Sequence, residues 1–399
     1  MHIRSPSCKI EGGITVYLPK TQTMSISSET YNAMVLSNVR GFSLTGMLQL
    51  YREVGSATAI VENHADIKTL VPDASSKLVE ALKDIENVKE WAIREAEYAE
   101  SNKIQVLSMD HASYPQRLLH CDDSPLVLFY LGNADLNARR VVNIVGTRHC
   151  TSYGKDLIRH FVADLKKMCP DTLVVSGLAY GVDVCAHREA LGNGMETVGV
   201  LAHGLDTIYP ATHRDVAAQM VSQGGLLTEY ASHSRVDKGS FVRRNRIVAG
   251  VSDACILVES AAHGGGLITA GISRDYNRDV FAFPGPVGAQ YSEGCNNLIR
   301  DNSAALISSA DDFVKAMGWE SDFKVAEAQR NGIERSLFPN LTEDEQCIVD
   351  TLSVQNDLQI NMLSVQSGLP IARLASLLFT LEMKGVVRTM AGGCYHLMN

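Results

Sequence analysis

Several common devices are missing from these 399 residues. No apolar run reaches the roughly 18 residues that a membrane span needs, so no transmembrane helix is expected. Residues 1–20 carry no apolar core segment and no cleavage-like site, so no secretory signal is expected. The cysteines (Cys8, Cys121, Cys150, Cys169, Cys185, Cys255, Cys295, Cys347 and Cys394) are scattered, odd in number and free of C-x-x-C spacing. That pattern argues against a disulfide framework or a zinc site. Those in apolar runs, such as Cys255, read as small buried hydrophobes, which fits a reducing, cytoplasmic setting. There is no G-x-G-x-x-G after the first strand of the central region and no G-x-x-x-x-G-K-[ST]. There is also no G-x-S-x-G nucleophile elbow, and His111, His120, His203 and His213 lack metal-ligand spacing. No cofactor, metal or catalytic nucleophile is expected.

What is present is globular. Hydrophobic residues make up 45% and charged residues 20%, and the length suggests two or three domains. A net charge of -9 argues on its face against nucleic acid. Binding depends on local surface, however, and the charge is uneven. Residues 235–246 set Arg235, Lys238, Arg243, Arg244 and Arg246 against Asp237 alone, a net +4, whereas residues 340–399 carry a net -3.

Five stretches follow one another. Residues 1–24 are polar and without period, and Met24, leading into Ser-Ile-Ser-Ser-Glu, is expected to be the true initiator. Residues 25–110 read as helices: Leu44, Leu48 and Tyr51 share a helical face before Gly55, and residues 77–99 form one amphipathic run with Leu78, Leu82 and Ile85 on one side. A SAM-like or helix-hairpin-helix module fits, as does a plain helical cap. Residues 111–319 alternate short β-like runs (141–145, 173–176, 197–201, 225–229, 254–259 and 279–283) with helical segments (153–168, 183–191, 215–222 and 267–277). That rhythm predicts an α/β, doubly wound, Rossmann-like parallel sheet. Residues 320–340 are a polar linker. Residues 341–399 show a capping box at Thr342 and Glu345, helical runs around the turn at Gly368 and Pro370, and a small β-wing, which together predict a winged helix.

In doubly wound folds ligands bind at the carboxyl ends of the strands, where helix N-termini favour anions. Those ends carry Gly146-Thr147-Arg148, Ser176-Gly177-Leu178-Ala179-Tyr180-Gly181, Gly204 and Gly264-Gly265-Gly266. Strand-to-helix turns need glycine anyway, but four clusters with one arginine favour an anion site. The basic run from Lys238 to Arg246 interleaves Phe241 with cations, which suits phosphates plus a stacked base. It leads into a helix expected over 245–249. Some of its arginines are expected to staple buried carboxylates instead. Asp183, His187, Glu229 and Glu259 could form an acid–base set, but structural roles are favoured.

The motifs then become specific in combination. Asn143-Ile144-Val145-Gly146-Thr147-Arg148 with Tyr153-Gly154, and Ser176 through Asp183 with Ala186-His187, resemble the opening blocks of the DNA-processing (DprA/Smf) family. Tyr209-Pro210, Thr228-Glu229-Tyr230, Phe241 to Arg246, Leu267-Ile268-Thr269-Ala270, Phe283-Pro284-Gly285 and Gly294-Cys295-Asn296 follow in order. The likeness spans residues 25–319, and the winged helix is that family's usual appendage. It implies binding of single-stranded DNA without strong sequence preference, homodimerisation, loading of the RecA recombinase in transformation or recombination, and no enzymatic activity. Carried onto this chain, the phosphate pocket would use Gly146, Thr147, Arg148, Ser176, Gly177, Gly181, Gly265 and Thr269. Lys238 would contact the strand, Phe241 would stack on a base, and Arg243, Arg244, Asn245 and Arg246 would shape the rim. The chain departs from the family pattern at Thr147, Tyr180, Gly264 and Cys295, which lowers the pocket's polarity.

Two other classes compete. A nucleotide hydrolase of the lysine-decarboxylase-like (LOG) type shares this Rossmann variant and carries P-G-G-x-G-T-x-x-E; here no glutamate follows Gly264-Gly265-Gly266 within ten residues, which counts against hydrolysis. A transcription regulator would read DNA with the winged helix, whose candidate recognition segment offers only Arg373 and Lys384. The acidic winged helix is expected to be a protein-contact or regulatory module.

Overall fold

The computed structural model describes residues 26–234, 237–320, 341–390 and 392–398. The expected start at Met24, most of the 320–340 linker and Arg235 lie outside the described residues.

Serine caps organise the helical N-terminal region. Ser27, Ser43, Ser56 and Ser75 each accept a backbone N–H at the start of α1 (Ser28–Ser37), α2 (Leu44–Val54), α3 (Ala57–Glu62) and α4 (Ser76–Leu82). Gly55, at φ 78°, ends α2 in the left-handed conformation, as its position in the sequence predicts. The run expected as one helix over 77–99 is two, α4 and α5 (Ile85–Ser101). The break falls between Leu82 and Ile85, both fully buried, so the bend keeps both apolar stripes against the core.

Among the described residues the sheet has nine strands: β1 (Gln105–Ser108), β2 (Val127–Gly132), β3 (Arg140–Val145), β4 (Thr172–Ser176), β5 (Thr197–Val200), β6 (Gly224–Thr228), β7 (Ala254–Leu257), β8 (Asp279–Ala282) and β9 (Ala305–Leu306), in the order β1-β2-β6-β5-β4-β3-β7-β8-β9. Strands β3 to β9 are parallel, and β3 to β7 are buried along their length, which is why they read as continuous apolar runs. β1 and β2 add an antiparallel edge, so the sheet begins before residue 111. α1 lies across that edge, with Thr30 Oγ1 2.7 Å from Ser108 Oγ. Met34, Leu48 and Leu82 of the helices join Leu107 and Leu128 of the edge strands in one buried cluster.

Topology fixes where a ligand can sit. The chain steps outward from β3 through β4 and β5 to β6, then returns to lay β7 on the other side of β3. The reversal opens a crevice at the carboxyl ends of β3 and β7.

The C-terminal winged helix has its own core of Ile348, Leu352, Leu363, Leu374, Leu378, Leu381 and Leu397. Its helices are α14 (Glu343–Val354), α15 (Ile360–Ser367) and α16 (Ile371–Met383), and β10 (Leu358–Gln359), β11 (Val387–Met390) and β12 (Cys394–Leu397) form its sheet. The Thr342–Glu345 capping box opens α14, and Gly368 turns between α15 and α16 at φ 71°. Among the described residues, no single helix is long and apolar enough to cross a membrane.

Candidate nucleic-acid interface

Glycines bring the loops after β3, β4 and β7 together. A Cβ on Gly181 would lie 2.2 Å from the Thr147 carbonyl oxygen, and one on Gly266 would lie 3.0 Å from Gly146 Cα. Gly181 also takes φ 77°, so only glycine satisfies both demands there. The β4 loop therefore rests on Thr147–Arg148, and the start of α11 (Gly265–Asp275) rests on Gly146. Leu178 occupies φ 55° within the β4 loop, a conformation unfavourable for a branched side chain. His213 Nδ1 lies 2.9 Å from the Leu178 carbonyl oxygen and anchors this turn.

The basic run forms α10 (Lys238–Gly250), which starts seven residues before the expected helix at 245. The signal passed over is a capping box: Asp237 Oδ1 accepts from Ser240 N at 2.6 Å, and the Ser240 hydroxyl answers the Asp237 N–H. Those hydrogen bonds also hold the Asp237 carboxyl below its usual range.

One helix then gives its cations different tasks. Arg244 is buried, donates to the Val200 carbonyl and lies against Gly177, near Asp183. Burial pushes the Asp183 carboxyl up and the Arg244 guanidinium down, and their mutual attraction opposes both shifts. Arg246 pairs with the Glu229 carboxylate and donates to the Asp123 carbonyl. The expectation that some arginines staple buried carboxylates therefore fits Arg244 and Arg246. Arg243 stays exposed, 3.4 Å from the Tyr230 hydroxyl and 3.7 Å from Asp237. Lys238 is exposed on the first turn and has no ion pair among the described residues, and Asn245 is half-buried.

Above the β4 loop a small cavity of about 70 Å³ is lined by Arg148, Gly177, Tyr180, His203, Tyr209 and Phe241. The exposed Arg148 guanidinium carbon lies 5.6 Å from the Phe241 ring centroid, within cation–π range. Phe241 meets Tyr209 edge-on at 5.8 Å, and Tyr180 meets His213 at 5.0 Å. Tyr180 and Tyr209 are 46% and 54% exposed, so two aromatic faces flank the cation in open solvent. Tyr209 was not among the expected site residues, although Tyr209-Pro210 stood out as a motif.

The other expected residues divide by burial. Gly265 is exposed at the open start of α11, whereas Thr269 on the same helix is buried. The Ser176 hydroxyl is fully buried and donates to the Ile144 carbonyl at 2.6 Å. The Thr147 hydroxyl accepts from His149 N at 3.1 Å, and Thr147 N donates to the Glu259 carbonyl at 2.7 Å.

The titratable groups weighed as an acid–base set all have structural partners. Glu259 accepts from Thr151 N at 2.8 Å and from its hydroxyl at 2.6 Å. His187 is sealed beside Thr197, and burial drives its pKa down to about 3. Among the described residues, no group of histidine, cysteine and carboxylate side chains could hold a metal ion.

Comparisons with known proteins agree with this architecture. The family model for DNA recombination-mediator protein A matches residues 105–318, and that for the DprA winged helix domain matches residues 335–393. The DNA processing protein DprA of Mycobacterium tuberculosis is 37% identical over 274 residues, covering 68% of this chain and 69% of that protein. Protein Smf of Escherichia coli is 30% identical over 298 residues, covering 72% and 76%. The X-ray structure of DprA from Streptococcus pneumoniae superposes with a TM-score of 0.61 at 29% identity, covering 72% of this chain and 97% of that one. The chain belongs to the DNA recombination-mediator protein A (DprA/Smf) family.

Proposed function

We propose that this chain binds single-stranded DNA along the carboxyl ends of β3, β4 and β7, with little sequence preference. The observation that carries the reading is the exposed Arg148 guanidinium over Phe241, flanked by the open faces of Tyr180 and Tyr209. A cation free of ion pairs among the described residues attracts a phosphate, and aromatic rings stack on any base, so the pair recognises a strand without reading it. In a duplex the bases are already stacked on each other and are not offered to those rings.

The phosphate path runs from the Gly265 end of α11 past Gly146 and Arg148 to Gly177 and Gly181, with Lys238 and Arg243 along the rim. Backbone N–H groups at glycine turns add anion affinity there. Ser176, Thr269, Arg244 and Arg246 shape this path from beneath. The reading includes a cytoplasmic homodimer that hands the strand to the RecA recombinase, with no bond made or broken by the protein.

Fluorescence anisotropy with labelled poly-dT and a matched duplex, across a salt series, tests the proposal. Tight, salt-sensitive preference for the single strand is expected. No binding near physiological salt would overturn it, and nucleoside monophosphate hydrolysis would then be assayed.

A further inference from the structure

Arg148 and His149 are consecutive residues of the loop after β3, and each sets its side chain against a ring from a different element. Arg148 lies over Phe241 of α10, on the side where the loops after β4 and β5 bring Tyr180 and Tyr209. His149 meets Tyr291, which follows β8, with ring centroids 6.1 Å apart and planes inclined by only 26°, a stacked arrangement. In the strand order β5-β4-β3-β7-β8 these partners stand on opposite sides of β3. His149 is exposed and Tyr291 half-buried, so the imidazole keeps a face toward solvent while the phenol ring backs it.

The loop that carries Tyr291 is held at several points. The Asn296 amide, on α12 (Glu293–Arg300), accepts from Gly285 N at 3.1 Å and donates to the Gly285 carbonyl at 3.0 Å. The hydroxyl of Tyr153, on the first turn of α7 (Ser152–Met168), donates to the Pro284 carbonyl at 2.7 Å. The Tyr291 carbonyl accepts from Ser260 N at 2.7 Å, which ties its backbone to the loop after β7. His149 N donates to the Thr147 hydroxyl within its own turn. A ring pair fixed at both backbones loses little freedom when a flat partner lands on it.

We propose that His149, backed by Tyr291, is a second base-stacking site, taking a nucleobase of the same single strand that passes Arg148 and Phe241. The inference rests on the single-strand reading above and adds to it a ring site on the far side of β3. Neighbouring strands lie about 4.8 Å apart, so the span from the β5 loop to the β8 loop is roughly 19 Å. At about 3.4 Å for each stacked nucleotide, that span takes on the order of six nucleotides. β7 lies between β3 and β8, and the exposed Gly265 at the start of the helix that follows it stands along the crossing. Stacking at either end asks for no particular base, because every base has a face to offer.

The test uses the full chain. Affinity is measured by anisotropy for labelled oligo-dT strands of about 4 to 16 nucleotides, the range of single-strand site sizes. His149→Ala and Tyr291→Leu should match wild type on the shortest strands, which cover only the Phe241 side. On the longest strands they should fall behind by about fivefold or more, the low end for one lost stacking contact. Variants that follow wild type at every length would overturn the second site and leave the first standing. Photocrosslinking needs no variant to fold: a strand carrying iododeoxyuridine throughout is irradiated on the wild-type chain, and the adducts are mapped by mass spectrometry. Adducts on His149 or Tyr291 are expected beside those on Tyr180, Tyr209 or Phe241. Adducts confined to the latter residues would overturn the proposal. A wild-type chain that binds no strand of any length would overturn both the second site and the reading on which it rests.

Discussion

Arg244 and Gly177 exclude a side chain from the space between them: a Cβ at Gly177 would stand 2.0 Å from Arg244 Nη1. The guanidinium cannot simply swing aside, because it is buried, bonded to the Val200 carbonyl and beside Asp183. Gly177→Ala should therefore cost about 1–3 kcal/mol of stability, the usual range for forcing volume into a packed site. Urea unfolding measures this, and an unchanged midpoint would show that the β4 loop relaxes freely.

The cations of the interface should separate into two behaviours. Arg148→Ala removes an exposed charge, so it should leave stability nearly unchanged and flatten the salt dependence of poly-dT binding by about 0.7 for each phosphate left without its cation. Phe241→Ala should cost roughly 1–3 kcal/mol of binding, because a base is left without a ring to stack on. Arg246→Ala should act on the fold instead: Glu229, 9% exposed at its side chain, would lose its buried partner. Breaking such a pair costs about 3–5 kcal/mol. Parallel anisotropy and urea titrations of the three variants separate the groups; a stable Arg246→Ala with a flattened salt slope would place that arginine on the strand.

Much of this division lay beyond sequence reading. Strands β3 to β8 were legible because burial leaves short runs dominated by apolar residues, and their observed ends fall within one or two residues of the expected ones. β1 and β2 were not legible. Gln105-Val106-Leu107-Ser108 is too short to show a period, and β2 owes its place to β6, whose Gly224 carbonyl accepts from the Tyr130 hydroxyl at 2.9 Å. Lys238-Gly239-Ser240 reads as a turn until Asp237 is seen to cap it. Arg148 and Phe241 were legible as cation and ring, whereas Tyr209 joins them only through the fold. The sequence shows four like-charged side chains on α10, and only burial tells which of them reach solvent.

His187 should make the fold acid-sensitive. Thr197 Oγ1 donates to the Val174 carbonyl at 2.9 Å, so His187 Nδ1, 2.7 Å away, carries the proton toward Thr197. Its Nε2 is buried without a hydrogen-bond partner. Burial is the main reason the pKa falls from 6.5 to about 3, with Arg244 and His213 adding repulsion. Between those values the unfolded chain binds a proton that the folded chain refuses. This contribution to stability is thus present above pH 6.5 and lost as pH falls toward 3. His187→Asn should lower stability at pH 7 but flatten its decline below pH 6.5, by up to about 1.4 kcal/mol per pH unit. Urea midpoints at pH 7, 6, 5 and 4.5 check this; parallel curves for variant and wild type would assign the acid sensitivity elsewhere.

The winged helix should take no part in holding the strand. Both cations of its candidate recognition segment are engaged: Arg373 pairs with Asp344, and Lys384 Nζ lies 2.7 and 2.8 Å from the two oxygens of the buried Glu345 carboxylate. Beside the paired Arg373 and the acidic Glu382, α16 shows solvent three large apolar side chains, Ile371, Phe379 and Met383, at 49%, 66% and 76% exposure. A phosphate approaching that face would find no free positive charge and would lose water to hydrocarbon. Arg373→Ala and Phe379→Ser should therefore leave poly-dT affinity within about twofold and its salt slope unchanged, since neither side chain releases a counterion from the strand. The same anisotropy series decides it: a slope flattened by Arg373→Ala would mean that α16 opens its ion pair to the DNA.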